Sequence, residues 1–275
     1  MKRLLKIELQ KVLSFNLFRV LVAMYLGIFF LCIITFPHIE FNLNFNDEVD
    51  MLDIKSFYSF PIIWNSYAWL ASKFNIFLAI MIIFLIGNEF SFRTFRQHII
   101  DGLSKKEIIY GKLLVIFLIS IGSFLVIFIS SLIMGLIYSD DYSFSLMFEN
   151  IPILFIYLLQ ACAYMSMAMF IAIFIRNKTV SIVVFLIYSM IVEPSVRFLL
   201  GKYVLSDLMH YFPAKVIFKL TPLPENALIS FVKVNAESEG FIGPGIPLYL
   251  NILLAVFYAS IFIFFSYRII KKRDI

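Results

Sequence analysis

An all-α integral membrane protein with six transmembrane helices is the fold class this sequence predicts, on three observations. Hydrophobic residues make up 62% of the chain and charged residues 15%, with a mean hydropathy of +0.95, far from the roughly 45–50% apolar composition of soluble domains. Six apolar runs stand out, at residues 17–36, 69–88, 113–137, 151–175, 179–192 and 247–267; all but the short fifth match the ~20 residues that cross a hydrocarbon core of about 30 Å. No segment alternates apolar and polar residues as the roughly 10-residue strands of a membrane barrel do. Each run is therefore expected to be a helix, the form that satisfies backbone N–H and C=O groups where lipid offers no partner.

Taken in order, the stretch MKRLLKIELQKVLSF sets Leu5, Leu9 and Val12 along one face against Arg3, Lys6 and Gln10, with Ile7 and Glu8 interrupting the pattern. It reads as an N-terminal interfacial helix lying on the membrane. The run at 17–36 follows basic residues, as a secretory signal would, but its length and the lack of an A-x-A site make it an uncleaved first span. An acidic segment at 37–72, carrying Glu40, Asp47, Glu48, Asp50 and Asp53, precedes the second span. Asp140 and Asp141 mark the connection from span 3 to span 4. The turn Arg176-Asn177-Lys178 joins spans 4 and 5, and a long loop at 193–245, with room for re-entrant helices, leads to span 6. There is no internal repeat, low-complexity tract or linker, so residues 1–275 read as one membrane domain.

Charge sets the orientation. With both termini in the cytoplasm, inner segments hold fifteen Lys and Arg residues: Lys2, Arg3, Lys6, Lys11, Arg93, Arg96, Lys105, Lys106, Lys112, Arg176, Lys178, Arg268, Lys271, Lys272 and Arg273. Outer segments hold seven, and Arg19 sits at the mouth of span 1. This is the positive-inside bias. It also accounts for the net charge of +5 and the pI near 9.1 as topology and anionic lipid contact, without invoking nucleic acid.

The segment between spans 2 and 3, GNEFSFRTFRQHIIDGLSKKEIIYGKLL, gathers charge in an otherwise apolar chain. On a continuous helix Glu89, Arg93 and Arg96 share one face, which predicts a Glu–Arg cluster, and Phe92, Phe95 and Ile99 form an adjoining apolar stripe. Asp101-Gly102 supplies a stop, because glycine takes the left-handed conformation freely. Ser104-Lys105-Lys106-Glu107 is a capping box that opens the next helix. The segment is thus a helix, a tight turn and a helix entering the membrane. Locally it fits two roles, an interfacial hairpin whose arginines obey the positive-inside bias, or a docking surface for a partner.

The same segment resembles the region between spans 2 and 3 of ABC exporter permeases of the type-2 kind, on Glu89, Thr94, Gly102, Leu103, Ser104, Lys105, Glu107 and Lys112. Arg93 stands where that family commonly has Gly. The likeness covers the whole chain: N-terminal interfacial helix, six spans, a short connection between spans 3 and 4, and a long outer loop before the last span. FPIIWNSYAW and YFPAKVIFKL resemble the family less specifically. The resemblance implies that the hairpin is a cytoplasmic coupling helix seated in a separate ABC ATPase subunit, with Glu89, Phe92, Arg93, Thr94, Phe95, Arg96, Gly102, Leu103 and Ser104 as coupling residues. It implies a permease that dimerises with a second copy or homologue in a bacterial cytoplasmic membrane and exports an amphipathic cargo such as a lipid, peptide or drug. ATP and Mg would be bound by the partner, leaving no cofactor in this chain. The alternative is a non-transporting anchor that couples an ATPase to an extracytoplasmic process.

The residues themselves add little chemistry. There is no G-x-x-x-x-G-K-[ST] loop to cradle phosphates. His38, His98 and His210 lie in separate segments, away from metal-ligand spacing. Cys32 and Cys162 both fall in spans, and the span serines Ser120, Ser130 and Ser166 have no histidine at matching depth. Glu193 and Arg197 at the outer end of span 5 read as an interfacial ion pair or as an outer gate, and Lys73 as a snorkelling lysine.

Overall fold

The computed structural model describes residues 8, 10–11, 15–35, 37, 57–139, 143–203 (201–203 by backbone alone), 209–222 and 246–272. Most of the expected N-terminal interfacial helix, the acidic segment at 38–56, Asp140, Asp141 and most of the loop expected before the last span lie outside the described residues; Glu8, Gln10 and Lys11 are described and helical. Among the described residues there is no strand. The helices are α1 (Asn16–Thr35), α2 (Ile63–Ser91), α3 (Thr94–Ile100), α4 (Lys105–Tyr138), α5 (Phe144–Phe148), α6 (Pro152–Ile175), α7 (Lys178–Ile187), α8 (Glu193–Tyr203), α9 (Pro213–Phe218) and α10 (Leu248–Lys272). Six are long and apolar enough to cross a membrane once α5 is joined to α6 and α7 to α8, so the chain is a multi-pass membrane protein.

The helices outrun the apolar stretches that announce them. α2 begins at Ile63 rather than 69 because Trp64 and Tyr67 are buried; the Trp64 indole N–H donates to the Met147 carbonyl at 2.9 Å, the usual need of a buried tryptophan. α4 begins at Lys105 rather than 113 because the capping box forms. Ser104 Oγ accepts from the Glu107 amide at 3.3 Å and Glu107 Oε2 accepts from the Ser104 amide at 2.8 Å. The fifth span does not stop before Glu193: it passes through a π-helical turn at Tyr188–Val192 directly into α8. Polar residues end an apolar run in the sequence, but only a cap or a change of backbone conformation ends a helix.

α2 and α6 form the centre and pack most extensively on each other, with α10, α4 and α7 against α6, and α1 against α2. Small residues let the two central helices approach: Ala71 and Ala79 in α2 and Ala161, Ala168 and Ala172 in α6 are fully buried. Close packing is the main driving force here, since lipid tails are as apolar as leucine. The pair at positions 168 and 172 is consumed inside the chain. Gly135 of α4 lies under the Phe60 ring, and a Cβ on Gly87 would stand 2.5 Å from Lys178 Cβ and 2.8 Å from Lys178 Cα.

A polar network crosses the middle of the bundle. The Tyr25 hydroxyl, Ser123 Oγ and Tyr157 hydroxyl contact in sequence at 2.5 and 2.6 Å, and Tyr157 donates to Asn75 Oδ1 at 3.0 Å. It joins α1, α2, α4 and α6. Interhelical hydrogen bonds in membranes average about 0.6 kcal/mol, so its main effect is to fix the helices' rotational setting.

Candidate functional site

The basic ends of the helices converge at one end of the bundle. α2 runs toward it and α4 leaves from it; Arg176 after α6 lies 5.6 Å from the Phe90 ring centre, Lys178 lies 5.2 Å from that of Phe84, and Lys105 Nζ donates to the Lys271 carbonyl at 3.3 Å. At this end stands the hairpin of α2, α3 and α4.

The root of the hairpin is a buried charge cluster. Lys112, in the second turn of α4, has a side chain 1% exposed. Its ammonium donates to Glu8 Oε2 at 2.7 Å and makes a short contact with Glu89 Oε1. Lys11 donates to the same Glu89 oxygen at 2.9 Å and to Glu8 Oε1 at 3.2 Å, and its ammonium lies 2.6 Å from His98 Nε2. Two carboxylates and two ammoniums therefore alternate, drawn from the N-terminal segment, the end of α2 and the start of α4, with α3 contributing His98. Desolvation cancels much of the Coulomb attraction in such a cluster, whereas removing one member strands the others at about 3–5 kcal/mol. Its effect is to hold three chain segments in one arrangement.

The cluster sets the protonation of its outlying members. Burial pushes the Glu8 carboxyl up, but the Lys112 and Lys11 ammoniums outweigh it and hold the group below its ordinary 4.5. Burial, then the Lys11 charge, holds His98 below its ordinary 6.5 against the pull of Glu89 and Glu8. A neutral imidazole whose Nε2 accepts from the Lys11 ammonium fits this geometry.

The expected Glu–Arg cluster is corrected by the backbone. α2 ends at Ser91, and Arg93 takes the left-handed conformation with φ 56°, so the helical face that would align Glu89 with Arg93 and Arg96 is broken. Glu89 turns inward to the lysines, and Arg93 and Arg96 are exposed. The apolar stripe is corrected too. Phe95 is 1% exposed and stacks on Phe90 with ring centres 4.6 Å apart, while Phe92 is 66% exposed and Ile99 half-buried. Thr94 Oγ1 donates to the Glu89 carbonyl at 3.3 Å. Gly102 has φ +89°, Leu103 is half-buried against the core, and Ser104 caps α4. The outward surface of the hairpin is thus Phe92, Arg93, Arg96, Ile100 and Ser104, with Glu89, Phe95 and Lys112 beneath it.

At the opposite end, Glu193 is 2% exposed, and its carboxylate accepts from the Ala214 amide at 3.0 Å and the Lys215 amide at 2.7 Å. The expected ion pair with Arg197 is replaced by these two amides, which α9 folds back to present. Gln160 in α6 completes the attachment, donating to the Ile217 carbonyl at 2.9 Å and accepting from Thr221 Oγ1 at 2.8 Å. Lys215 is depressed to about 8 by burial and by the charges of Lys219 and Arg197, with Glu193 opposing.

The residues that sequence reasoning missed left a trace. Glu8, which interrupts the apolar pattern of its segment, is buried against Lys112, and Lys112, counted as a positive-inside charge and as a residue of the resemblance, is its counter-ion. Gln160 and Asn75 left only the signal of an amide inside an apolar run.

Comparison with curated proteins returns no match. The family model described as protein of unknown function DUF2705 matches residues 20–275, which take in Glu89, Lys112 and Glu193, and the chain belongs to that family.

Proposed function

We propose that this chain is the membrane-spanning permease subunit of an ATP-driven exporter of the ABC type-2 kind, with the α2–α3–α4 hairpin as the element that couples it to a separate ATPase subunit. The observation that carries the reading is the hairpin's division into a locked root and an exposed crown. The root is the Glu8–Lys112–Glu89–Lys11 cluster. The crown exposes Phe92 and Arg93 from the turn before α3, and Arg96 and Ile100 from that seven-residue helix. An element that is to carry a displacement from a soluble partner into the spans needs a contact surface outside and a rigid connection inside. The left-handed turn at Arg93 supports the resemblance as well, because glycine, common at that position in the type-2 family, adopts this conformation freely.

In this reading both termini and the hairpin are cytoplasmic, two permease copies or a homologous pair face two ATPase subunits, and ATP and Mg reside on the partner. Closure of the ATPase pair moves the hairpins, and a path between the permeases alternates between inward and outward openings. The Glu193–α9 contact lies at the outer end, where such a path must part. The cargo is amphipathic, since the chain carries 33 Phe and 14 Tyr.

Purification of the tagged chain from cells that encode it tests the proposal. The expected result is co-purification of a subunit that contains a phosphate-cradling loop and hydrolyses ATP, lost when Phe92→Ala is combined with Arg96→Glu while the variant still accumulates in the membrane. ATPase recovery equal to wild type in that variant, or ATP turnover by the chain alone, would overturn it.

A further inference from the structure

We propose a binding site for an anionic phospholipid on α10, which rests on the membrane-spanning fold and not on the exporter reading. Phe264, Phe265, Arg268, Ile269 and Lys272 line an open groove of about 380 Å³ on one face of α10. Spacings of one, three and four residues put all five on one helical face, with side chains lying over the preceding turn. The Arg268 guanidinium carbon lies 5.3 Å from the centre of the Phe264 ring. No ion pair involves Arg268 or Lys272 among the described residues.

The groove is divided along the helix axis as a phospholipid is divided along its length. Phe264, Phe265 and Ile269 supply the apolar part. Arg268 and Lys272 supply two cations toward the end of the bundle where Lys105 meets Lys271. The eight steps from Phe264 to Lys272 rise about 12 Å, enough for a phosphate at the headgroup level and the first part of an acyl chain beneath it. Lysines in the last turn of a helix complement its dipole, but that accounts neither for Arg268 a turn earlier nor for the concavity. Charge complementarity selects the occupant. A second copy meeting this face symmetrically would bring its own Arg268 and Lys272 toward these, and an acidic protein surface would leave the phenylalanines below the headgroups uncovered.

Native mass spectrometry of the full chain, released from neutral detergent after exposure to phosphatidylglycerol or phosphatidylcholine, is the test. Retention of one phosphatidylglycerol, with phosphatidylcholine released, is expected. A basic residue near an anionic surface is worth roughly fivefold in affinity, so Arg268→Gln with Lys272→Gln should weaken retention about 25-fold. The matched change Arg93→Gln with Arg96→Gln should leave it unaltered. Equal loss in both variants would reduce the effect to general attraction and overturn the site, as would unchanged retention in Arg268→Gln/Lys272→Gln. Competition by inorganic phosphate as strong as by the lipid would make it an anion site only. Disulfide formation between two copies of a Phe264→Cys variant would show that protein covers the groove, and either result overturns the lipid assignment.

Discussion

Lys112 donates a hydrogen bond of 2.7 Å to Glu8, a residue 104 positions earlier in the chain, inside a cluster from which solvent is nearly excluded. That contact ties the N-terminal segment to the start of α4, and the Lys112–Glu89 pair ties both to the end of α2. Glu8 and Lys11, ahead of the first span, are therefore built into the hairpin's root.

Lys112→Met should strand Glu8 and Glu89 together and cost on the order of 3–5 kcal/mol, far more than the 0–1 kcal/mol of a surface pair. Thermal unfolding in detergent measures it. Adding Glu8→Gln to Lys112→Met should recover part of the loss, since Lys11 and Glu89 then remain as a matched ammonium and carboxylate 2.9 Å apart. A Lys112→Met melt within a degree of wild type would mean the cluster is solvated.

Docking of the N-terminal segment should weaken as pH falls, in two steps. His98 is held below 6.5 in the docked state by burial and by Lys11, with Lys112 adding to this and Glu89 and Glu8 opposing. The Lys11 charge leaves with the segment, so the undocked state binds more protons, and the His98 contribution is present above 6.5 and is lost as pH falls below it through the lowered docked value. Glu8 is held below 4.5 in the docked state, so its contribution is present above 4.5 and lost as pH falls further. A spin-label pair at Gln10→Cys and Arg96→Cys reports the separation. His98→Gln should abolish the upper step and leave the lower one; persistence of the upper step would place the titration elsewhere.

Gly87→Ala should be more harmful than Gly135→Ala, although both glycines face close neighbours. At Gly87 the new Cβ meets the Cβ and backbone Cα of Lys178, so helix α7 itself must move, and a loss of about 1–3 kcal/mol is expected from overpacking. At Gly135 the neighbour is the far edge of the Phe60 ring, which can swing aside. Comparison of the two melting temperatures decides the order, and equal losses would show that α7 gives way without cost.

The excess of Lys and Arg at the Lys112 end predicts that this end is cytoplasmic. In a cysteine-free background, Ser145→Cys at the opposite end should react with an impermeant thiol reagent on intact cells, and Gln97→Cys should react only after permeabilisation. Both positions are exposed. Labelling of Gln97→Cys alone on intact cells would reverse the topology.

The sequence by itself determined the number of spans, their helical form, the convergence of basic residues at one end and the capped corner at Gly102 and Ser104. These follow from composition, run length and local backbone chemistry, which act within a few residues. Tertiary structure decided which charges meet. Two arginines lie near Glu89 in sequence, Arg93 and Arg96, and a helical wheel places both on its face. One left-handed residue at position 93 turns those two outward, while Lys112 and Lys11, distant in sequence, take the carboxylate. Glu193 likewise went to the amides of α9 rather than to Arg197 four residues on. A buried carboxylate is satisfied by whatever donor the folded chain brings within about 3 Å, and that distance depends on where the chain turns, which spacing along the sequence does not fix.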